Sequence, residues 1–158
     1  MTVAATTELE AINIMLAAIG EAPVNSLTGT VPVDVRLAQS TLTETNKEVQ
    51  SEGWSFNTEI DVTLVRDASK QVALSTDVLR IDPNIHQHTD IDAIQRGLKL
   101  YDRLNNKYEF EEDLICTVVY FRTFEEIPEP ARRYITIKAA RIFVDRLVSD
   151  DGLRTYTQ

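Results

Sequence analysis

The chain has 158 residues, of which 43% are hydrophobic and 26% charged, a balance typical of one globular domain and not of a disordered chain. We expect no signal peptide and no membrane anchor, because the N-terminus lacks basic and apolar regions and no apolar run approaches ~20 residues. One cysteine excludes an internal disulfide, and a net charge of −9 without a basic stripe argues against a protein that grips nucleic acid.

The first helix is predicted between Thr7 and Gly20. Thr7 and Glu10 have the spacing of a capping box, and Gly20 has the position of a C-terminal cap, with Pro23 just beyond it. The apolar residues between these caps recur at helical spacing: Leu9, Ile12, Leu16 and Ile19.

A second helix is predicted over residues 33–51, after a loop of turn-forming residues at 24–32 and before Gly53. Its predicted inner stripe consists of Val35, Ala38, Leu42 and Val49. The residues predicted to face outward are Arg36, Glu44, Lys47, Glu48 and Gln50.

The middle of the chain changes to a period of two, which predicts strands. Ile60, Val62 and Leu64 alternate with polar residues. Further strands are predicted within residues 72–81, 98–102, 107–110 and 114–121. The predicted turns are residues 66–69, residues 82–84 and the hairpin tip Asn105–Asn106.

The last strand leads through an acidic turn into a long helix. Pro128 and Pro130 suit a helix start, and the helix is predicted from Glu129 to Leu147, which spans roughly 28 Å. Its apolar side is predicted to consist of Ala131, Tyr134, Ile135, Ile137, Ile142, Phe143 and Val144. Residues 150–152 are predicted to end this helix. Residues 153–158 are predicted to start another helix, and we expect the native chain to continue beyond them.

The order helix, helix, antiparallel strands, helix predicts an α+β fold. We expect a single domain over residues 1–158. In it, a bundle of long helices, at residues 1–53 and 128–150, carries a β-rich insertion at residues 54–124.

Few residues suggest chemistry. His86 and His88 would point the same way on a strand and could share a metal with Asp82, Asp90 or Asp92. The segment is polar and loop-like and no HExxH or other spaced ligand set accompanies it, so the favoured interpretation is two exposed loop histidines. Cys116 lies in an apolar run and is predicted to be a small buried side chain. Trp54 and Phe56 are predicted to be core anchors, with an interface role as the alternative.

Two groups of acids allow a second interpretation. Glu111, Glu112 and Asp113 suit a solvated hairpin end, and the group that precedes the last helix, with Glu125, suits a helix N-terminus. A carboxylate pair such as Glu126 and Glu129 would instead suit glycoside hydrolysis. There is no glycine-rich phosphate loop and no nucleophile elbow. We therefore assign no catalytic, cofactor-binding or metal-binding residue, and no interface residue.

Three stretches together resemble the tail tubular protein A family. The first runs from Glu8 to Val24, ELEAINIMLAAIGEAPV, and the second is QSEGWSFN at residues 50–57. The third comprises YDR at 101–103, FEEIPE at 124–129, RYI at 133–135 and KAAR at 138–141. Residues 66–96 match least.

The resemblance implies a structural virion protein, a head–tail adaptor of short-tailed bacteriophages, with no catalysis and no cofactor. It implies a twelve-membered ring between the portal and the tail nozzle, formed by tail tubular protein B, around the DNA channel. Tail fibres dock at the lower rim in this reading, and the protein is made in the host bacterial cytoplasm. Relatives are expected to continue with a further helical segment, which leaves portal docking open.

Three further hypotheses follow. An acidic ring would repel passing DNA, and the loops at residues 66–69 or 82–92 would project toward neighbours. Subunits are expected to be monomers in solution, because the sequence shows no large exposed apolar stripe. The rival functions are a virion-associated glycan hydrolase with paired carboxylates, and a soluble binding module that never joins a virion.

Overall fold

The computed structural model describes the main chain of residues 4–155 and the side chains of residues 4–149. The chain forms two compact units. The helical unit comprises Met1–Val49 and Thr123–Gln158, and the β unit comprises Gln50–Arg122. Helices and antiparallel sheets together confirm the α+β class.

Helix α1, Glu8–Ala18, begins and ends as its sequence predicts. The Thr7 hydroxyl accepts from the Glu10 amide, and the Glu10 carboxylate accepts from the Thr7 amide, both at 3.1 Å. Gly20 has a φ of +79°, and the Glu21 amide donates to the Leu16 carbonyl at 3.0 Å. This is a Schellman motif, in which the positive φ favours glycine.

Helix α2, Val33–Ser51, has the predicted bounds. The four residues of its predicted inner stripe are all buried. Gln50 is buried as well, so the prediction that it faces outward is wrong.

Helix α3, Glu129–Thr155, starts at the predicted residue, and the Pro128 carbonyl accepts the Ala131 amide at 3.0 Å. It continues through residues 150–152, so the predicted end is wrong. One interior glycine, Gly152, costs a helix only about 1 kcal/mol, too little to end a helix of 27 residues. Residues 153–155 belong to this same helix, and residues 156–158 lie outside the described part of the chain.

All three helices of the helical unit bury apolar side chains. α1 packs against α3, and ion pairs join α2 to α3 from Glu48 to Lys138 at 3.0 Å and from Glu44 to Arg146 at 2.8 Å. The larger buried side chains are Ile12, Met15, Leu16, Val35, Leu42, Phe124, Ile127, Ile135 and Phe143. Tyr134 and Ile137 are exposed, so the prediction that they widen the buried side of α3 is wrong.

The β unit contains a three-stranded antiparallel sheet and a hairpin. The sheet has the order β1-β5-β2, with β1 at Thr58–Leu64, β2 at Val78–Pro83 and β5 at Leu114–Tyr120. The hairpin joins β3, Ala93–Arg96, to β4, Lys99–Asp102. The core of this unit contains Val72, Leu74, Ala93, Leu100, Phe110, Leu114, Cys116 and Val118.

Strand β1 departs from the predicted alternation at a bulge. The pairing register with β5 shifts between Glu59 and Val62, and Asp61 has a φ of +54°. The bulge inserts a residue and turns the side chains after it, so Ile60 is exposed while Val62 and Leu64 are half-buried.

Two further predictions in the β unit are wrong. Residues 82 and 83 belong to β2 and not to a turn; Pro83 is tolerated because β2 is an edge strand. The turn follows instead at Asn84, whose carbonyl accepts the Gln87 amide. Residues 107–110 form isolated bridges and no strand, while β3 was not predicted. The tip at Asn105–Asn106 is confirmed, with Asn106 at a φ of +54°.

Candidate functional sites

A buried glutamine joins the two ends of the β unit. The Gln50 side-chain amide donates to the Arg122 carbonyl at 2.7 Å, and its oxygen accepts the Arg122 amide at 2.8 Å. One side chain thus satisfies both backbone groups of Arg122, as a neighbouring strand would. The periodicity of α2 does not predict that Gln50 binds this backbone, because Gln50 lies one residue from the end of the helix.

Asn57 completes this junction. Its amide nitrogen donates to the carbonyls of Gln50 and Tyr120, both at 2.9 Å, and its oxygen accepts the Trp54 amide at 2.8 Å. The side chain is buried, so these bonds satisfy polar groups that lack access to water. Glycine is favoured at residue 53, because its φ is +83° and a Cβ there would lie 3.2 Å from the side chains of Val119 and Arg80.

The two histidines have different environments. His86 is exposed, whereas His88 is buried, so the reading of both as exposed loop residues is wrong for His88. His88 Nε2 accepts the Ile115 amide at 2.8 Å, which places its proton on Nδ1, 3.1 Å from a Glu112 carboxylate oxygen. Both ring nitrogens are therefore engaged, and the pair is not arranged to share a metal. Among the described side chains, no cluster of His, Cys, Asp or Glu has the geometry of a metal site.

The acids at residues 111–113 each have a partner. Glu111 pairs with Lys70 at 3.2 Å and Lys107 at 3.4 Å, and hydrogen bonds from these lysines lower its pKa. Asp113 lies 3.6 Å from Arg66. These ion pairs fit the interpretation of a solvated, charged end of the β unit.

Asp102 lies buried beside this group, in the wall of a cavity of about 480 Å³. Its carboxylate accepts from the Asn105 side chain at 2.6 Å and from the amides of Asp92, Leu104 and Asn105 at 3.0–3.3 Å. Burial alone would raise the pKa of Asp102, but these hydrogen bonds together lower it. The carboxylate therefore shapes the turn after β4.

The acids before α3 also have structural partners. Glu126 accepts from the amide and hydroxyl of Thr123, both at 2.8 Å. Glu129 accepts from the amide of Thr6 at 2.8 Å and from its hydroxyl, and these bonds lower the pKa of Glu129. A glycosidase needs one carboxyl whose pKa is raised, so this shift is opposite to that of a general acid.

Glu8 and Cys116 have raised pKa values for reasons of packing. Partial burial and the neighbouring Glu125 raise the pKa of Glu8, at the N-terminus of α1. Burial, with a contribution from Asp82, raises the pKa of Cys116 to about 11. The thiol is therefore protonated at neutral pH and is not an activated nucleophile, and its predicted burial is confirmed.

Several large apolar side chains are exposed. Trp54 is 41% exposed, so the prediction that it is a core anchor is wrong, while Phe56 is half-buried. α3 also presents a stripe of separate exposed apolar side chains, Tyr134, Ile137 and Val148. Sequence periodicity missed this stripe because both faces of α3 are apolar.

The two loops predicted to reach neighbours differ in how they are held. The Asp67 carboxylate accepts the amides of Ser69 and Gln71 and shapes the first turn. His88 fixes the second loop to β5, where Ile85 remains exposed. No helix in the described part of the chain is both long and apolar enough to cross a membrane.

Comparison with known proteins identifies the class. A sequence model of the tail tubular proteins matches residues 9–158. The chain belongs to the tail tubular protein family. It is also 27% identical to tail tubular protein A of Klebsiella phage KP34 over an alignment of 153 residues. This alignment covers 96% of this chain and 79% of that relative.

Membership confirms the resemblance and defines a general role. A tail tubular protein is a structural component of the phage virion tail, which assembles with other phage proteins. The family implies a non-enzymatic role, consistent with the structural hydrogen bonds of Glu126 and Glu129.

Proposed function

We propose that this tail protein is a head–tail adaptor. Copies of the chain form a ring, a dodecamer, that binds the portal above and the nozzle of tail tubular protein B below. The ring surrounds the DNA channel during packaging retention and ejection, and tail fibres dock at its lower rim. Subunits are made in the host cytoplasm and assemble on the portal. The observation that carries this proposal is the family match over residues 9–158.

The charge of the chain supports a DNA channel. With a net charge of −9 per copy, twelve copies would surround the channel with acidic protein. Such a wall repels phosphates at distances within about 8–10 Å at physiological salt, so it lets DNA move without holding it.

The helices support lateral packing. In this proposal α1, α2 and α3 act as the bundle of long helices of one adaptor domain, residues 1–158, and the β unit is its insertion. Side-by-side contacts between helical faces are heterologous, and they close into a ring when the rotation between copies divides a full turn.

The test is negative-stain imaging of this chain mixed with portal rings of its own phage. The expected result is additional ring density on one end of the portal, with a symmetry that gives the stoichiometry. Bare portals in the presence of folded protein would contradict the proposal. Changing the loops at residues 66–69 or 82–92 is expected to impair assembly, and unchanged assembly would exclude them as contacts.

A further inference from the structure

The outer face of α3 carries an apolar stripe with the spacing of a helix-pairing seam. Tyr134, Ile137, Arg141, Val144 and Val148 follow one another at intervals of three, four, three and four residues. This is the heptad spacing that places side chains along one line of a helix. Tyr134 is 50% exposed, Ile137 43% and Val148 66%. The stripe therefore presents apolar area along about four turns of helix.

This stripe is separate from the face that packs in the core. Ile135, Ala139 and Phe143 are fully buried at intervals of four residues. At 100° per residue, Ile137 lies about 200° around the helix from Ile135. α3 is thus apolar on two opposite faces, of which the helical unit covers one. A helix that is apolar on both sides indicates burial on both sides.

The stripe borders a surface cavity formed with α1. Ile14, exposed on α1, and Ile137 line this cavity of about 210 Å³ together with Thr6, Arg133 and Thr136. A single aliphatic or aromatic side chain of a partner would fill such a space, as a knob fills a hole between helices. The surface therefore combines an exposed apolar stripe on α3 with a cavity beside it.

Two arginines indicate the charge of the partner. Arg133 and Arg141 are exposed beside Ile137, one helical turn before it and one turn after it, and they outnumber the one exposed acid of this face, Asp145. The chain as a whole is acidic, with 25 Asp and Glu against 16 Lys and Arg. A second copy of this chain therefore offers the acidic surface that a basic, apolar patch complements.

We propose that the outer stripe of α3, with Ile14 and Arg133, is the surface on which a neighbouring copy of this chain docks. This inference rests on the proposed ring and identifies its lateral contact. The exposed apolar residues of the stripe are few and are interrupted by Arg141. Copies are therefore monomers when dilute, and they associate where a portal raises their local concentration.

The first test is Ile137→Glu, which places a charge in the centre of the stripe. The control is Val33→Glu, which adds the same charge at an exposed residue of the same unit, 80% exposed at the start of α2. Both variants are expected to melt like the wild type by circular dichroism. On portal rings of the same phage, Val33→Glu is expected to add ring density, whereas Ile137→Glu decorates about tenfold fewer portals. Equal decoration by the two variants would overturn the inference.

The second test identifies the occupant. Ile137→Cys labelled with a benzophenone is selective, because the native Cys116 is buried. Cross-linked dimers of this chain, on portals or in concentrated solution, support the inference; cross-links to the portal, to DNA or within one chain overturn it.

The two proposals fail in different ways. Ring density with cross-links elsewhere would remove only the α3 contact. Cross-linked dimers without any ring density would remove only the adaptor function.

Discussion

The helical unit and the β unit both contain buried apolar side chains, but they differ in what their buried polar side chains connect. In the helical unit, Ile12, Ile135 and Phe143 are among the buried apolar residues, charged pairs lie at the surface, and two of the buried threonines bond within their own helices. In the β unit, buried polar side chains bond directly to the backbone, as Asn57 and Asp102 do. Burial of apolar area tolerates small rearrangements, whereas a buried hydrogen bond requires one geometry. The β unit should therefore be the less tolerant of polar substitutions.

The largest expected effect is in the helical core. Phe143→Ala removes a fully buried ring and leaves a cavity, which costs about 3–5 kcal/mol. Urea unfolding followed by circular dichroism at 222 nm measures it, while fluorescence of the single tryptophan, Trp54, reports on the β unit. If the tryptophan transition shifts equally, the two units unfold together and the comparison applies to one cooperative structure.

The matching change in the β unit is Asn57→Ala. It leaves the carbonyls of Gln50 and Tyr120 and the Trp54 amide without this partner, and we expect a loss of about 3 kcal/mol. Tryptophan fluorescence during urea unfolding measures the loss. Asn25→Ala, at an exposed loop position, is the control and should change stability by less than about 0.5 kcal/mol. Similar small effects of both changes would refute a stabilising role for the junction.

A smaller loss of stability is expected at His88, and the exposed His86 provides the control. His88→Phe keeps the ring but leaves the Ile115 amide unsatisfied, at a cost of about 1–3 kcal/mol. His86→Phe, at the exposed neighbour, is expected to be nearly neutral. Thermal unfolding of the two variants side by side distinguishes them, and an equal loss for both would point to the loop as a whole.

The smallest effect is the pH dependence of Asp102. Because its pKa is lowered in the folded state, its carboxylate adds stability above the unfolded value of about 3.9, and this stability is lost as pH falls through the folded value. Asp102→Asn should be less stable than the wild type by about 1 kcal/mol at pH 7. The difference should shrink toward pH 3. Urea unfolding at both pH values tests this, and a constant difference would show that the charge does not contribute.

Sequence patterns predict the helical unit better than the β unit for a physical reason. A helix repeats its caps and apolar spacing over many residues, so Thr7, Glu10 and Gly20 were sufficient to bound α1. In the β unit a single residue changes the geometry: the bulge at Asp61 exposes Ile60 against its alternation. The role of Gln50 depends on a residue 72 positions away, which no local pattern contains.

The candidate surfaces were predictable only in part. The resemblance gave the family, because short stretches spread over the chain keep their order. It did not give the stripe at Tyr134 and Ile137, since periodicity assigns apolar residues to a core and α3 has two apolar faces. A heptad count along α3 would have separated them. The buried role of His88 had no signal in the sequence, because its partner amide belongs to a distant strand.

The bond between Gln50 and Arg122 has a consequence for how such proteins diversify. The chain enters and leaves the β unit within reach of one side chain, so residues 50–122 form a closed cassette. A few flexible residues between Val49 and Thr123 would bridge the gap left by its removal. Changes in length or loops inside the cassette need not alter the connection between α2 and α3.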